Sequence, residues 1–129
     1  MLKPASASLA VIVEGLSQEL SVDVCSLYMA TPDSYLELVA TCGLSQSVIG
    51  TRMSMNQGLT GKVARTRHSV SVKNPDTHPD YYHLSSSGEE KYNSYLGIPL
   101  MRDNHLFGVL VVQTVRPKMF FMSEIKSLY

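Results

Sequence analysis

The side chains best suited to hold a small polar molecule are hydroxyls that fall among apolar residues in two neighbouring strand-like segments. Ser26 and Tyr28 lie in the first segment, and Thr41 lies in the second. Because successive side chains of a strand point to opposite faces, these residues are predicted to share one face with Val39. A face that carries hydroxyls among apolar groups has the mixed character of a ligand cavity wall.

The opposite face of the same two segments predicts a sealed core. It is wholly apolar and carries Cys25, Leu27, Met29, Leu36, Leu38, Ala40 and Cys42. We expect this face to lie beneath an amphipathic helix. Both cysteines are then buried thiols, and this placement opposes a catalytic role, because a nucleophilic thiol needs exposure and a lowered pKa.

Four histidines raise the question of a metal site, but their spacing argues against one. His68, His78, His83 and His105 are spread over different predicted elements. The interval between His78 and His83 also fits no usual spacing of metal ligands. We therefore expect no bound metal.

Length and charge narrow the class of protein. At 129 residues the chain has the commonest size of one domain. Eleven basic and eleven acidic side chains cancel, so no net field attracts nucleic acid or an anionic membrane. The longest apolar run, 109–112, is far shorter than the roughly 20 residues that cross a bilayer. Without an export signal or a disulfide framework, we expect a soluble protein of the reducing cytosol.

Hydrophobic periodicity and turn residues predict the elements that position these side chains. Apolar residues recur at helical spacing from Leu9 to Leu20 and predict an amphipathic helix over 5–20. Strands are predicted over 24–30, 35–42, 52–55, 70–72, 94–101 and 106–114, and a second helix over 59–66. Pro99 predicts a bulge or a locally unpaired backbone in its strand. Ser123 begins a final helix that stops after about two turns, so we expect one domain over 1–129, cut from a longer chain within its last helix.

A glycine pair precedes the second helix. Gly58 and Gly61 can adopt backbone conformations that side chains forbid, so the chain can turn tightly and then begin a helix. A helix placed in this way can cover a pocket. Glycine pairs are common in turns, and this one matches neither the dinucleotide fingerprint nor the phosphate-binding loop.

Three motifs together resemble a known family of sensor domains. They are the glycine-started helix at 57–64, the segment 95–100, and the apolar strand 107–112. With the order helix, hairpin, glycine-started helix, Asn-Pro-Asp segment and closing hairpin, the chain resembles GAF domains from about residue 5 to its end. The segments 23–30, 78–90, 96–99 and 106–113 resemble in particular the amino-terminal GAF domains of nitrogen-type phosphoenolpyruvate-protein phosphotransferases. The resemblance implies an α+β, profilin-like fold, with a mostly antiparallel sheet, terminal helices on one face and a ligand pocket on the other.

The resemblance also implies a regulatory function. It implies a domain that senses nitrogen status, with glutamine the favoured effector, 2-oxoglutarate a second candidate, and no catalysis or cofactor in the domain itself. Family positions that face ligands match Ser26, Thr41, Leu59, Thr60, Asn74, Asp76 and Tyr82, and the strand face adds Tyr28. For an amino acid, we expect backbone N–H groups at the start of the Leu59 helix to bind the carboxylate and Asp76 to bind the ammonium group.

Other functions remain open at this point. The domain could serve a sensor kinase or a nitrogen-regulated transcription activator, or it could reduce free methionine sulfoxide through its cysteines. It could also lack a pocket and act only in dimerisation. In the favoured hypothesis the terminal helices pair in a homodimer and carry the ligand signal to the catalytic domains of the parent chain.

Overall fold

The computed structural model describes residues 4–73 and 94–115 of the chain. Within these ranges the elements are α1 (Pro4–Leu20), β1 (Val24–Ala30), β2 (Tyr35–Cys42), β3 (Arg52–Ser54), α2 (Gly58–Thr66), β4 (Val70–Lys73), β5 (Ser94–Arg102) and β6 (His105–Thr114). A single 3₁₀ turn, Gln46–Val48, follows β2. These bounds match the elements predicted within the described ranges to within one residue. The predicted helix after Ser123 lies outside the described residues.

The strands form one antiparallel sheet in the order β3-β2-β1-β6-β5-β4. The central strands are therefore β1 and β6, which come from opposite ends of the described chain. Helices lie on both sides of the sheet, since α1 packs against β1 and β2 while α2 packs against β4, β5 and β6. This arrangement confirms the predicted α+β class and the predominantly antiparallel sheet.

The side of the sheet under α1, here called the α1 face, is a continuous apolar layer. Its buried residues are Val13, Val22, Cys25, Leu27, Ala40, Leu96, Ile98, Leu110 and Val112. The helix spans 17 residues and leaves Val11 and Ile12 exposed on its outer side. Even so, no helix within residues 4–73 and 94–115 is both long enough and apolar enough to cross a bilayer.

The opposite side, here called the α2 face, buries a second apolar cluster. Its members are Val24, Tyr28, Leu36, Leu38, Leu44, Val48, Met53, Leu59, Val63, Ala64, Tyr95, Val109 and Val111. The first cluster confirms that Cys25 and Leu27 lie under the first helix. The second shows that Tyr28 lies on the other face, as its alternation predicts.

The prediction for Leu36 and Leu38 was wrong, and a β-bulge explains the error. Leu27 pairs with Ala40 but Tyr28 pairs with Leu38, so Val39 is left as an extra residue in β2. A bulge of this kind breaks strict alternation and moves the residues beyond it to the other face. Leu36 and Leu38 consequently pack on the α2 face, and Val39 packs against the α1 face.

The hairpin of β5 and β6 has a tight turn and one irregular position. Asp103 and Asn104 form the turn with φ of 52° and 64°, a left-handed conformation that suits a two-residue hairpin. Pro99 pairs regularly with Val109, and the register shifts only after Leu100. The irregularity predicted at Pro99 therefore lies nearer the turn.

Candidate ligand-binding face

Two hydroxyls meet in the middle of the α2 face. Ser26 on β1 and Thr41 on β2 are register partners, and Ser26 Oγ lies 2.9 Å from Thr41 Oγ1. Both side chains are buried, and Ser26 also stands opposite Val111 of the α2-face cluster. Such a pair uses one hydroxyl proton internally and leaves the other proton and further lone pairs available to a ligand.

The two glycines at the start of α2 have different structural roles. Gly58 has a φ of 70°, which confirms the predicted need for a residue without a side chain. Gly61 is required by close packing instead, because a Cβ atom there would lie 2.8 Å from the Met55 carbonyl oxygen. Gln57 precedes the helix and makes no side-chain capping hydrogen bond. The first turn of α2 is thus held close to the end of β3.

A second pair of hydroxyls joins α2 to the sheet. Thr60 Oγ1 lies 2.8 Å from the Tyr95 hydroxyl, and both residues are buried. The tip of the Tyr95 ring lies over Gly97, where a Cβ atom would come within 2.6 Å of the Tyr95 hydroxyl and 2.7 Å of Val63 Cγ2. Gly97 therefore makes the space in which Tyr95 reaches Thr60.

Gln113 adds a carboxamide to the same face. In the register of β6 it stands between Val24 of β1 and Tyr95 of β5, both members of the α2-face cluster. Its side chain is 2% exposed, and Oε1 has no hydrogen-bond partner. The sequence interpretation omitted Gln113 from the site. The available signal was one amide in strict alternation with Val109 and Val111, at the end of the apolar run 106–112.

The structure brings several predicted ligand residues together on one face. Ser26, Thr41 and Thr60 lie there with their hydroxyls hydrogen-bonded, while Tyr28 and Leu59 belong to its apolar cluster. Asn74, Asp76 and Tyr82 lie outside the described residues, so their contact with a ligand stays a prediction.

The thiols lie on the other face, as predicted. Cys25 and Cys42 are register partners and both are free. Cys25 is buried as predicted, whereas Cys42 is partly exposed. Burial raises the pKa of Cys25 to about 12, and the nearby Cys42 adds to the shift. At neutral pH Cys25 is therefore protonated, and a protonated thiol is a poor nucleophile.

Described residues also line two open surface pockets near the β5–β6 turn. One, of about 410 Å³, is bounded by Arg102, Asp103, His105 and Phe107. The other, of about 370 Å³, lies where His105 and Leu106 approach the carboxyl end of α2. Neither lining includes a predicted ligand residue.

Comparison with known proteins decides the family. A family model described as "GAF domain" matches residues 5–127. The chain belongs to the GAF domain family. It is 29% identical over 101 residues to the phosphoenolpyruvate-dependent phosphotransferase system protein of Escherichia coli (strain K12), which covers 77% of this chain. The same alignment spans only 14% of the length of that protein.

Two solved GAF domains show the same architecture. The GAF domain of the Acinetobacter phosphoenolpyruvate-protein phosphotransferase superposes with a TM-score of 0.84 at 30% identity, over 95% of this chain and 73% of that one. The corresponding domain from Coxiella burnetii gives 0.85 at 32% identity, over 92% of this chain and 72% of that one. The GAF fold expected from the sequence is thereby confirmed.

Within this GAF fold, the part of the α2 face that the structure describes carries buried hydroxyl and amide groups. The buried polar side chains of the described residues are all uncharged, namely Ser17, Ser26, Thr41, Thr60, Ser94, Gln113 and Thr114. Residues 4–73 and 94–115 also contain no cluster of His, Cys, Asp and Glu that could hold a metal ion. The face can orient a small polar molecule through hydroxyl and amide groups.

Proposed function

We propose that this GAF domain is the input domain of a phosphoenolpyruvate-protein phosphotransferase and that it senses nitrogen status by binding a glutamine-type amino acid. The observation that carries the proposal is the buried Ser26–Thr41 hydroxyl pair at the centre of the α2 face. The similarity to the Acinetobacter and Coxiella burnetii domains supports the choice of parent protein. In the same proposal 2-oxoglutarate is a competing effector.

The start of α2 supports an amino acid as the ligand class. Its first backbone N–H groups have no intrahelical acceptor by construction, and the Gln57 side chain does not cap them. Together with the helix dipole, such groups favour a carboxylate. We assign the ammonium group to Asp76, as the sequence predicts.

A route from the ligand to the rest of the parent protein runs through the central strand β1. This strand carries Ser26 on the α2 face, while Cys25 and Leu27 pack under α1 on the other. A ligand alters the parent only if it binds two conformations of the domain unequally. We assign the second conformation to a shift of α1 against the sheet.

A homodimer through the terminal helices belongs to the same proposal. Val11 and Ile12 on the outer side of α1 are 69% and 52% exposed, so the helix offers an apolar surface to a second copy. Val11→Glu is expected to shift the chain to monomer in analytical ultracentrifugation, whereas Met101→Glu on the β5–β6 hairpin should not. A cytoplasmic location completes the proposal, since a reducing compartment keeps Cys25 and Cys42 as free thiols.

Ligand-dependent thermal stabilisation tests the sensing function. L-glutamine at about 100 times its Kd is expected to stabilise the folded chain by about 2.7 kcal/mol and so to raise Tm. L-glutamate, 2-oxoglutarate and cyclic AMP serve as comparison compounds in the same screen. If none of the amino acids or 2-oxo acids raises Tm, the sensing proposal is wrong.

Two matched threonines on α2 allow a test of where the ligand binds. Thr60 is buried against Tyr95, whereas Thr66 is exposed and its hydroxyl donates to the Lys62 carbonyl. Thr60→Val and Asp76→Ala should weaken glutamine binding in calorimetry, and Thr66→Val should leave it unchanged. If all three variants bound glutamine as tightly as the wild-type chain, the site would lie elsewhere.

A further inference from the structure

Two buried side-chain oxygens among the described residues have no hydrogen-bond partner, Ser71 Oγ and Gln113 Oε1. Ser71 belongs to the edge strand β4 and is partly exposed. Gln113 belongs to the central strand β6 and is 2% exposed. Because buried polar atoms are almost always paired, the orphan oxygen in the centre of the sheet calls for a partner that binds there.

The surroundings of Gln113 define the chemistry of that partner. An amide oxygen accepts hydrogen bonds, so the missing group is a donor such as N–H. Its neighbours across the strands are the aliphatic Val24 and the ring of Tyr95, and the buried polar residues of the described chain are all uncharged. An ammonium ion would be costly to bury in this setting, whereas a neutral carboxamide would not.

We propose that Gln113 is a specificity-determining residue of the ligand site and that its Oε1 accepts a hydrogen bond from the carboxamide N–H of the ligand. This inference rests on the proposed function and adds to it the feature by which the domain distinguishes glutamine from glutamate and 2-oxoglutarate. The Ser26–Thr41 pair lies diagonally across from Gln113, two residues along β6 at Val111. Its spare hydroxyl proton is placed to bind the carbonyl oxygen of the same carboxamide.

Tyr95 connects this contact to α2. It is the register partner of Gln113, and its hydroxyl is hydrogen-bonded to Thr60. A ligand carboxamide that is hydrogen-bonded to Gln113 lies beside Tyr95, the residue whose hydroxyl connects the sheet to α2. The same ligand therefore reaches the first turn of α2, where the proposed carboxylate site begins.

The test compares two ligands and two variants by isothermal titration calorimetry. L-glutamine carries the N–H group, and L-2-amino-5-oxohexanoate, in which a methyl group replaces the amide nitrogen, has nearly the same shape without it. The wild-type chain is expected to bind glutamine about ten-fold more tightly than this methyl ketone, because the ketone leaves the buried Gln113 acceptor unpaired. Gln113→Met, which is similar in shape and has no acceptor oxygen, should abolish this preference. Gln18→Met on the exposed side of α1 is the matched control and should retain it.

The Tm without ligand supplies a second readout. Removing an orphaned buried oxygen leaves no new polar group unpaired, so Gln113→Met is expected to keep or raise the Tm of the free chain. A clear fall in that Tm would assign Gln113 a structural partner and would overturn the inference. Failure of Gln113→Met to fold would overturn the inference in the same way. The side-chain amide signal of Gln113 in the wild-type NMR spectrum is an independent readout, and that signal should shift with glutamine.

The outcomes separate this inference from the proposed function. Glutamine preference that survives in Gln113→Met overturns the inference and leaves sensing intact. If the wild type binds glutamate or 2-oxoglutarate but not glutamine, the inference is likewise overturned, while a sensing function remains. Failure of the wild type to bind any of these compounds overturns both.

Discussion

The two faces of the sheet are both buried, yet they differ in what they bury. The centre of the α1 face is closed by aliphatic residues such as Leu27, Leu96 and Leu110. Hydroxyls on that side lie away from its centre. Ser94 and Thr114 pair at the end of the β5–β6 hairpin, whereas Ser71 on the edge strand β4 has an unpaired Oγ. The centre of the α2 face instead holds a hydroxyl pair and, on the next row, an amide oxygen without a partner.

In the proposed function, this difference assigns stability mainly to the α1 face and ligand recognition to the α2 face. Among the described residues, the central strands β1 and β6 carry no unmet polar group on the α1 face, and their apolar packing there holds α1 against the sheet. On the α2 face, burial of hydroxyls and an amide lowers the gain from packing and retains hydrogen-bonding capacity. The same central strands contribute to both faces, so the proposed recognition site and the contact with α1 lie on opposite sides of the same strands.

The largest expected effect tests whether the two faces contribute equally to packing. Ile98 on the α1 face and Leu38 on the α2 face are both at most 1% exposed. Truncation of either to alanine is expected to lower the free energy of unfolding by about 2–5 kcal/mol in urea denaturation. Met101→Ala, at an exposed position of β5, should change it by less than about 0.5 kcal/mol. A small loss at Leu38 alone would mean that the α2 face is loosely packed.

A smaller effect is expected at the hydroxyl pair of the α2 face. Ser26→Ala or Thr41→Val should each lower the free energy of unfolding by about 1–2 kcal/mol, because the remaining hydroxyl loses its partner. The double variant should cost less than the sum of the two, and a double-mutant cycle measures the coupling. Ser47→Ala removes one member of the exposed Ser45–Ser47 pair and should have little effect. Strict additivity would show that the buried pair does not interact.

The smallest effect concerns the thiol of the α1 face and appears only in alkali. The pKa of Cys25 is raised from 9.0 to about 12, chiefly by burial. Above pH 9 the unfolded chain therefore loses this proton while the folded chain keeps it, so stability falls as the pH rises toward 12. Relative to Cys25→Ala, wild type should lose stability between neutral pH and about pH 10. Parallel pH profiles of the two proteins would contradict burial of the thiol.

The sequence predicted the elements well but predicted their faces less well. Period-two patterns and turn residues locate β1, β2, β5 and β6 because both signals are local. The misplacement of Leu36 and Leu38 came from the bulge at Val39, which is visible only when β2 is paired with β1. Gln113 was missed for a related reason, since the absence of a partner for its oxygen depends on residues distant in the chain.

Backbone NMR during titration with L-glutamine tests the central claim most directly, because it reads both faces of the same strands at once. We expect the largest amide shifts at Ser26, Thr41, Thr60, Tyr95 and Gln113. Amides of α1-face residues such as Ala40, Leu96 and Leu110 should move less. Shifts confined to the α1 face, or no shifts at saturating glutamine, would contradict the assignment of recognition to the α2 face.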